Sequence, residues 1–472
     1  MAENFVSLLE ATARRFPEKT ALVWDGGSLS YEDLHARAAG FARSLAGRGI
    51  GHGDMVALLI PNRWDFVVAL LGGFKLGATM VPLSARIKKG ERADIMGDLK
   101  PRLVVEEVEV EEGFWRTAPE VDAPAMIAYT SGSTGQPKGA IISHQAVTFA
   151  NHSWAKVMAL RPDDVVLGVL PLAHSFGLNG ALLAPLLVGS TVALLDRFSP
   201  EAVLDSIREF RVTVFPGVAT MFRRVLSSPA LAGTNLSSLR LAVAGAAPCP
   251  WELVEEWRQR IGTRILRGYG MAELFRPISY LAEDPRDWPD AAGRAVAGVE
   301  VRVVDDADRP LGPGEVGELL IKSPSALEGY LNDPGETRAV LVDGWFKTGD
   351  LATISPEGLV RIVGRKRERI LRGGYSVFPH EVEAVLLSHP TVAEAAVVGL
   401  PNPDLGEEVV AFVTFKRGAK VSSETLSTYC QERLAGYKYP RQINFLKRLP
   451  KGATGKVVKS ELVKMGMENP PQ

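Results

Sequence analysis

Through the first two thirds of the chain, short apolar runs alternate with stretches whose apolar positions recur at helical spacing. Met55–Ile60, Thr79–Pro82 and Leu103–Val105 read as buried strands, with helices over Trp64–Leu76 and Glu91–Leu99 between them. The rhythm returns with Asp164–Val169, Thr191–Leu195, the helix Pro200–Phe210, Val212–Phe215, Leu241–Ala244 and the helix Trp251–Ile261. Strands that alternate with helices predict parallel βαβ units, here in two α/β layers. Beyond about Gly293 the pattern shortens to Glu300–Asp305, Gly317–Lys322 and Leu359–Val363, separated by turns, which predicts a small β barrel or a capping sheet. The charged run Arg365-Lys366-Arg367-Glu368-Arg369 then opens a mixed segment of about domain size. The expectation is an α/β protein with a large domain over 1–364 and a small α+β domain over 365–472.

Composition narrows the function classes. The 472 residues are 46% hydrophobic and carry a formal net charge of -1, which excludes disordered and collagen-like chains. That near-neutrality offers no overall field for nucleic acid or an anionic membrane. The charge is uneven: residues 365–472 hold 17 Lys+Arg against 11 Asp+Glu, so the small domain is positive and the remainder negative. Cys249 and Cys430 lie far apart with no C-x-x-C spacing, so both are expected to be buried free thiols. Met1–Ala13 lacks the charged and apolar blocks of a signal peptide, and the expected location is the cytoplasm. Leu178–Leu195 contains Asn179, Gly180, Pro185 and Gly189 and predicts a buried helix running into a buried strand, not a membrane span.

Chemistry concentrates in Tyr129-Thr130-Ser131-Gly132-Ser133-Thr134-Gly135-Gln136-Pro137-Lys138-Gly139, directly after the strand-like Ala125–Ala128. Glycines let backbone N–H groups approach an anion, hydroxyls add donors, and Lys138 supplies a charge that neutralises phosphate oxygens. It is not a Walker A loop, because Pro137 precedes the lysine and Gly139 follows it.

This loop resembles the phosphate-binding signature of the adenylate-forming superfamily, which includes acyl-CoA synthetases, amino-acid adenylation domains and luciferases. Gly268-Tyr269-Gly270-Met271-Ala272-Glu273 is similar to the second core motif and Trp345-Phe346-Lys347-Thr348-Gly349-Asp350 to the third. Gly364-Arg365-Lys366-Arg367 matches the start of a mobile C-terminal domain, and Lys456 the terminal catalytic lysine. The resemblance implies ATP, Mg²⁺ and coenzyme A as cofactors and co-substrates. It implies catalytic roles for Lys138, Glu273 and Lys456, with Glu273 and Thr130 on the metal. Nucleotide contacts are implied for Thr130, Ser131, Gly132, Ser133, Thr134, Gly135, Gly245, Ala246, Ala247, Pro248, Gly268, Tyr269, Gly270, Met271, Ala272, Asp350, Ile362 and Arg365. Asp350 would accept hydrogen bonds from the ribose hydroxyls, and the ring of Tyr269 would stack on adenine.

By the same analogy His174, Phe176, Gly177, Val218, Met221 and Leu274 line the acyl pocket. These surroundings are mostly apolar and hold no aspartate to pair a substrate ammonium, so an amino acid fits poorly and a fatty, branched or aromatic acid fits well. His174 is not needed as a base, since a carboxylate is already ionised at neutral pH. Arg276 is open to two readings, a solvated or structural arginine and a partner for the second carboxylate of a diacid. For coenzyme A the analogy implies a pantetheine tunnel along Gly373 and Gly374, rotation about Arg367, and Arg86, Lys438 and Arg441 near the phosphates. Two departures stand out: Ala272 replaces the usual threonine before the magnesium glutamate, and the link from Val105 to Ala125 is short, which is expected to expose a sheet edge.

The expected function is an AMP-forming acid–thiol ligase, monomeric or homodimeric. The alternatives are an enzyme that loads a carrier protein's phosphopantetheine, a dicarboxylate CoA ligase, a non-catalytic nucleotide binder, and a luciferase-like oxidase.

Overall fold

The computed structural model describes residues 4–109, 122–131, 137–285, 287–451 and 457–468. The chain forms two compact units. One comprises Met1–Val301, Ile321–Lys347 and Gly358–Val360, the other Arg302–Leu320, Thr348–Glu357 and Arg361–Gln472.

In the first unit a seven-stranded sheet runs in the order Arg264–Leu266, Leu241–Ala244, Val214–Gly217, Val165–Gly168, Thr191–Leu194, Thr20–Trp24 and Gly27–Ser30. Neighbours are parallel except at the last hairpin. A six-stranded sheet runs Gly329–Tyr330, Pro137–Ser143, Pro124–Ser131, Thr79–Pro82, Met55–Leu58, Leu103–Val105. Leu103–Val105 is its terminal strand among the described residues, and most of the link that follows lies outside them. These are the two α/β layers that the alternating pattern implies. The helix Trp64–Leu76 is buried from Asp65 to Leu76, because a helix apolar on every face must be covered on every face. Its one ammonium, Lys75, is 4% exposed and meets Glu10 Oε1 at 2.6 Å.

The stretch from Ser175 to Leu194 departs in detail from a single helix and strand. A turn of α-helix, Ser175–Leu178, passes through a π-turn, Asn179–Leu183, into Ala184–Val188 and then the strand Thr191–Leu194. A buried bond from Asn151 Nδ2 to Asn179 Oδ1 at 2.9 Å anchors the π-turn to the helix His144–Val157. Gly180 lets it close on Phe176 and Trp154, whose carbons stand 3.1 Å from where a Cβ would be.

The second unit holds a sheet of Tyr375–Val377, Ile370–Arg372, Gly406–Phe415 and Val392–Asn402, with Gln442–Phe445 paired to Gly406–Phe415. Its core gathers Val382, Leu386, Val397, Ala411, Leu426 and Cys430. Cys430 is buried as expected, whereas Cys249 is only part-buried. Burial pushes both thiols up to about 11, so neither is a ready nucleophile. Among the described residues no helix is long and apolar enough to cross a membrane.

Candidate active site

The strands Pro124–Ser131 and Pro137–Ser143 form a hairpin in which Thr130 pairs with Lys138 and Ser131 with Pro137. The hairpin sets the hydroxyl-rich end of one strand against the lysine of the next. Gly132, Ser133, Thr134 and Gly135 lie outside the described residues, as does Lys456. Lys138 Nζ meets Glu336 Oε1 at 2.6 Å and stands 5.6 Å from the centre of the Tyr330 ring. The Tyr330 hydroxyl donates to Glu273 Oε1 at 3.1 Å. Burial, reinforced by the charge of Glu273, pushes the Tyr330 hydroxyl well above its ordinary range, so it stays a donor.

Lys138 from the first motif and Glu273 from the second are thus gathered around Tyr330. Sequence reading named neither Tyr330 nor Glu336. Both are positioned by pairing: Gly329–Tyr330 adds to the Pro137–Ser143 strand, and Asp333 caps the helix Pro334–Val340 that carries Glu336. The run Gly329-Tyr330 to Glu336 bore no sequence signal beyond turn chemistry.

The second motif is a tight hairpin, Gly268–Met271 against Phe275–Ser279. A Cβ on Gly270 would stand 1.8 Å from the Phe275 carbonyl oxygen, so only glycine fits there. Tyr269, Met271 and Ala272 are half-buried, and Leu274 is fully buried. After the strand Leu241–Ala244, Gly245 is buried while Ala246, Ala247 and Pro248 are exposed, and Ala246 takes φ +62°. A non-glycine residue in the left-handed region is strained, as is common where a loop shapes a ligand site.

Phe176 is buried and stacks on Trp154 with ring centroids 5.3 Å apart. The Phe176 ring also fills the space beside Gly245, 2.9 Å from where a Cβ would be. His174 is exposed, and its Nδ1 accepts from Phe176 N at 3.3 Å, so it caps the short turn that aims Phe176. Gly177 packs under the Pro171 carbonyl, 2.3 Å from a built Cβ. Val218 and Met221 are half-buried, Met221 against the core that contains Phe222 and Trp257. Arg276 is buried, which rules out the solvated arginine of the first reading.

In the second unit Asp350, 5% exposed, pairs through Oδ1 with Arg365 Nε at 3.2 Å. Thr348 Oγ1 accepts from Asp350 N and donates to Leu319 O, fixing the turn that carries the carboxylate. Ile362 is half-buried on the strand Val360–Arg365 that leads to Arg365. Lys366 Nζ reaches Glu318 at 2.9 Å and Asp306 at 3.1 Å, while Arg367 is exposed in the following turn. A cavity of about 320 Å³ beside these groups is lined by Asp305, Asp306, Glu318, Leu351, Arg369 and Phe378, too acidic for a phosphate.

Gly373 and Gly374 make the turn between Ile370–Arg372 and Tyr375–Val377, both at positive φ, +56° and +82°. Tyr375 after that turn stacks on Tyr437, the residue before Lys438, at 4.7 Å. Lys438 is held by both oxygens of Glu381 at 2.7 and 2.9 Å, and Arg441 lies over the Tyr439 ring. Arg86 belongs to the first unit, exposed, 4.0 Å from Asp196.

Lys138 beside a hydrogen-bonded carboxylate in the first unit, and a buried acid paired to an arginine in the second, are groups suited to a nucleotide-dependent enzyme on a layered α/β fold. The chain belongs to the AMP-binding enzyme family: that family matches residues 9–118 and 109–331, and the AMP-binding enzyme C-terminal domain matches residues 381–456. It is 34% identical over 478 residues to a feruloyl-CoA synthase of Amycolatopsis, covering 95% of this chain and 96% of that protein. ATP-bound MatB from Rhodopseudomonas palustris has a similar structure, with a TM-score of 0.92 at 30% identity, covering 99% of this chain and all of that one. An o-succinylbenzoate CoA synthetase (MenE) from Bacillus subtilis, in complex with its acyl-adenylate, superposes with a TM-score of 0.89 at 32% identity, over 96% and 97% of the two chains.

Proposed function

We propose that this protein is an AMP-forming acid–thiol ligase that activates an apolar fatty or aryl carboxylic acid with ATP and transfers the acyl group to coenzyme A. The observation that carries this reading is the meeting of Lys138 and Glu273, from two separate motifs, around Tyr330. Cation and carboxylate side by side suit the triphosphate of ATP with its metal.

In the first half-reaction a carboxylate oxygen attacks the α-phosphorus, the bond to pyrophosphate breaks, and pyrophosphate leaves with the electron pair. Lys138 would exchange Glu336 for phosphate oxygens as negative charge grows. Among the described residues no cluster of three His, Cys, Asp or Glu side chains forms a metal cage. That suits Mg²⁺, which commonly takes one or two carboxylates and completes its shell with phosphates and water. Glu273, with Thr130 as an additional oxygen, would hold it, and it would neutralise the leaving phosphates. Asp350 would accept the ribose hydroxyls, with Arg365 offsetting its charge, and Lys456 would reach the reacting carboxylate.

In the second half-reaction a thiolate, its proton lost to solvent, attacks the acyl carbon, and AMP leaves as the acyl–phosphate bond breaks. The Gly373-Gly374 turn permits close approach of a pantetheine arm, and residues 365–472 would turn about Arg367 between the two steps. Relatives named for feruloyl and long-chain fatty acid substrates support an acid with a largely apolar skeleton, and one named for 2-succinylbenzoate acts on an aryl acid that carries a second carboxylate. A cytoplasmic monomer or homodimer completes the proposal.

The test is release of AMP and pyrophosphate from ATP across fatty, aryl and dicarboxylic acids, each with and without coenzyme A. AMP formation that depends on coenzyme A establishes the ligase. Adenylate formation that ignores coenzyme A moves the acceptor to a carrier protein, and silence with every acid removes the reading.

A further inference from the structure

Arg276 is a buried charge that the reaction just described does not use. It leaves the strand Phe275–Ser279 with 6% of its surface exposed. Nε donates to Ser279 Oγ at 3.0 Å, Nη1 to the Ala244 carbonyl at 2.9 Å, and Nη2 to the Leu266 carbonyl at 3.4 Å. Three of the five guanidinium N–H groups are therefore spent, all on neutral acceptors. The guanidinium lies 4.9 Å from the centre of the Trp154 ring. Among the described residues no carboxylate stands within ion-pair distance of it.

A buried cation without a counter-charge is costly in a protein interior. Burial alone lowers Arg276 to about 9, with no acid acting against it, yet it remains charged at neutral pH. The chain makes room for this group at a specific place. A Cβ on Gly268 would stand 2.5 Å from the guanidinium carbon, so glycine at that position opens the space.

Ala244 and Leu266 are the last residues of two neighbouring parallel strands. Open α/β sheets bind their ligands outside the carboxyl ends of the strands. The guanidinium adjoins Phe176, one of the residues assigned to the acyl pocket: it lies against Trp154, which stacks on Phe176, and it bonds the carbonyl of Ala244, the residue before the Gly245 that the Phe176 ring packs against. The cation offered to the triphosphate, Lys138, is a different one with its own carboxylate partner, Glu336.

Resting on the ligase reading above, we propose that Arg276 receives a second carboxylate of the acyl substrate, so that the enzyme selects dicarboxylic acids over monocarboxylic acids of the same length. The two remaining N–H donors form charge-assisted bonds to that carboxylate, and the stacked Trp154 and Phe176 rings contact the carbon skeleton between the two acid groups.

The test uses the full-length enzyme and measures AMP formation with pairs of acids matched in length, each monocarboxylate against the analogue that carries a second, distal carboxylate, in aliphatic and aryl series. At least one diacid is expected to exceed its partner in kcat/KM by about tenfold to a hundredfold, the range of charge-assisted hydrogen bonds. Arg276→Met is expected to collapse that ratio toward one, and Arg276→Lys to restore part of it. Wild-type enzyme that activates monoacids at least as well as their diacid partners in every pair overturns the proposal while the ligase reading stands. An unchanged ratio in Arg276→Met also overturns it. Should the methionine variant not fold, the wild-type ratios and that of Arg276→Lys decide. Absence of AMP with every acid removes the ligase reading and this proposal together.

Discussion

Ala272 sits half-buried between Met271 and Glu273, where the family pattern has a threonine hydroxyl facing phosphate. One missing transition-state donor commonly lowers the rate by about 10²–10³. Ala272→Thr is therefore expected to raise the single-turnover rate of adenylate formation by at least about tenfold, measured by quenched-flow pyrophosphate release. An unchanged rate would mean that another donor already fills the role. Tyr330 acts on the same motif through its bond to Glu273. Tyr330→Phe leaves the ring under Lys138 and removes only that bond, so the Mg²⁺ concentration for half-maximal rate is expected to rise about fivefold, in line with about 1 kcal/mol for one hydrogen bond. Loss of activity that saturating Mg²⁺ fails to relieve would contradict this positioning role. Most of the motif residues were legible in sequence because their spacing is local. Tyr330 and Glu336 were not, since they reach the site only through strand pairing.

At the scale of elements, the helix His144–Val157 shows how packing constrains chemistry. Ser143 caps it, and His144, with no exposed surface, lies edge-on to Phe74 at 5.4 Å. Neither ring nitrogen finds a partner among the described residues. Burial, with the charge of His52 second, lowers its pKa to about 4 from an ordinary value near 6.5. The unfolded chain thus binds a proton that the folded chain refuses between those two values, and stability falls as pH drops from about 6.5 toward 4. The shift corresponds to about 3 kcal/mol at the acid end. Urea midpoints at pH 7.5 and pH 5 are expected to separate less in His144→Leu than in wild type. An equal separation in the two proteins would reject the assignment. The helices themselves were legible from apolar periodicity, whereas the π-turn Asn179–Leu183 was not, because it depends on the distant Asn151.

At the scale of the whole molecule, two units share one chain that crosses between them more than once. Within the second unit the segment that follows Gly364 is pinned by Lys366 to Glu318 and Asp306, and by Arg369 to Asp306 at 3.6 Å. Asp306 is largely exposed, so its pairs are weak individually and screened by salt. Asp306→Asn is expected to speed tryptic cleavage within residues 365–369 several-fold at low ionic strength, with little change in Tm and with the difference shrinking at high salt. Equal cleavage rates at low salt would show that the pairs do not hold the segment. The proposed turning point at Arg367 lies inside this pinned stretch, so the same variant is expected to alter the ratio of the two half-reaction rates.

The sequence by itself determined the layered α/β architecture, the order of the motifs and the kind of chemistry, because alternation of strand and helix and the composition of a phosphate loop are local properties. Tertiary structure alone decided that Glu273 is held by Tyr330, that Lys138 rests on Glu336, and that Arg276 lies buried against Trp154 with no counter-ion among the described residues. Those facts depend on strand register and on which side chains meet across the fold. No local pattern encodes them, because the energy of a buried charge is set by whatever surrounds it.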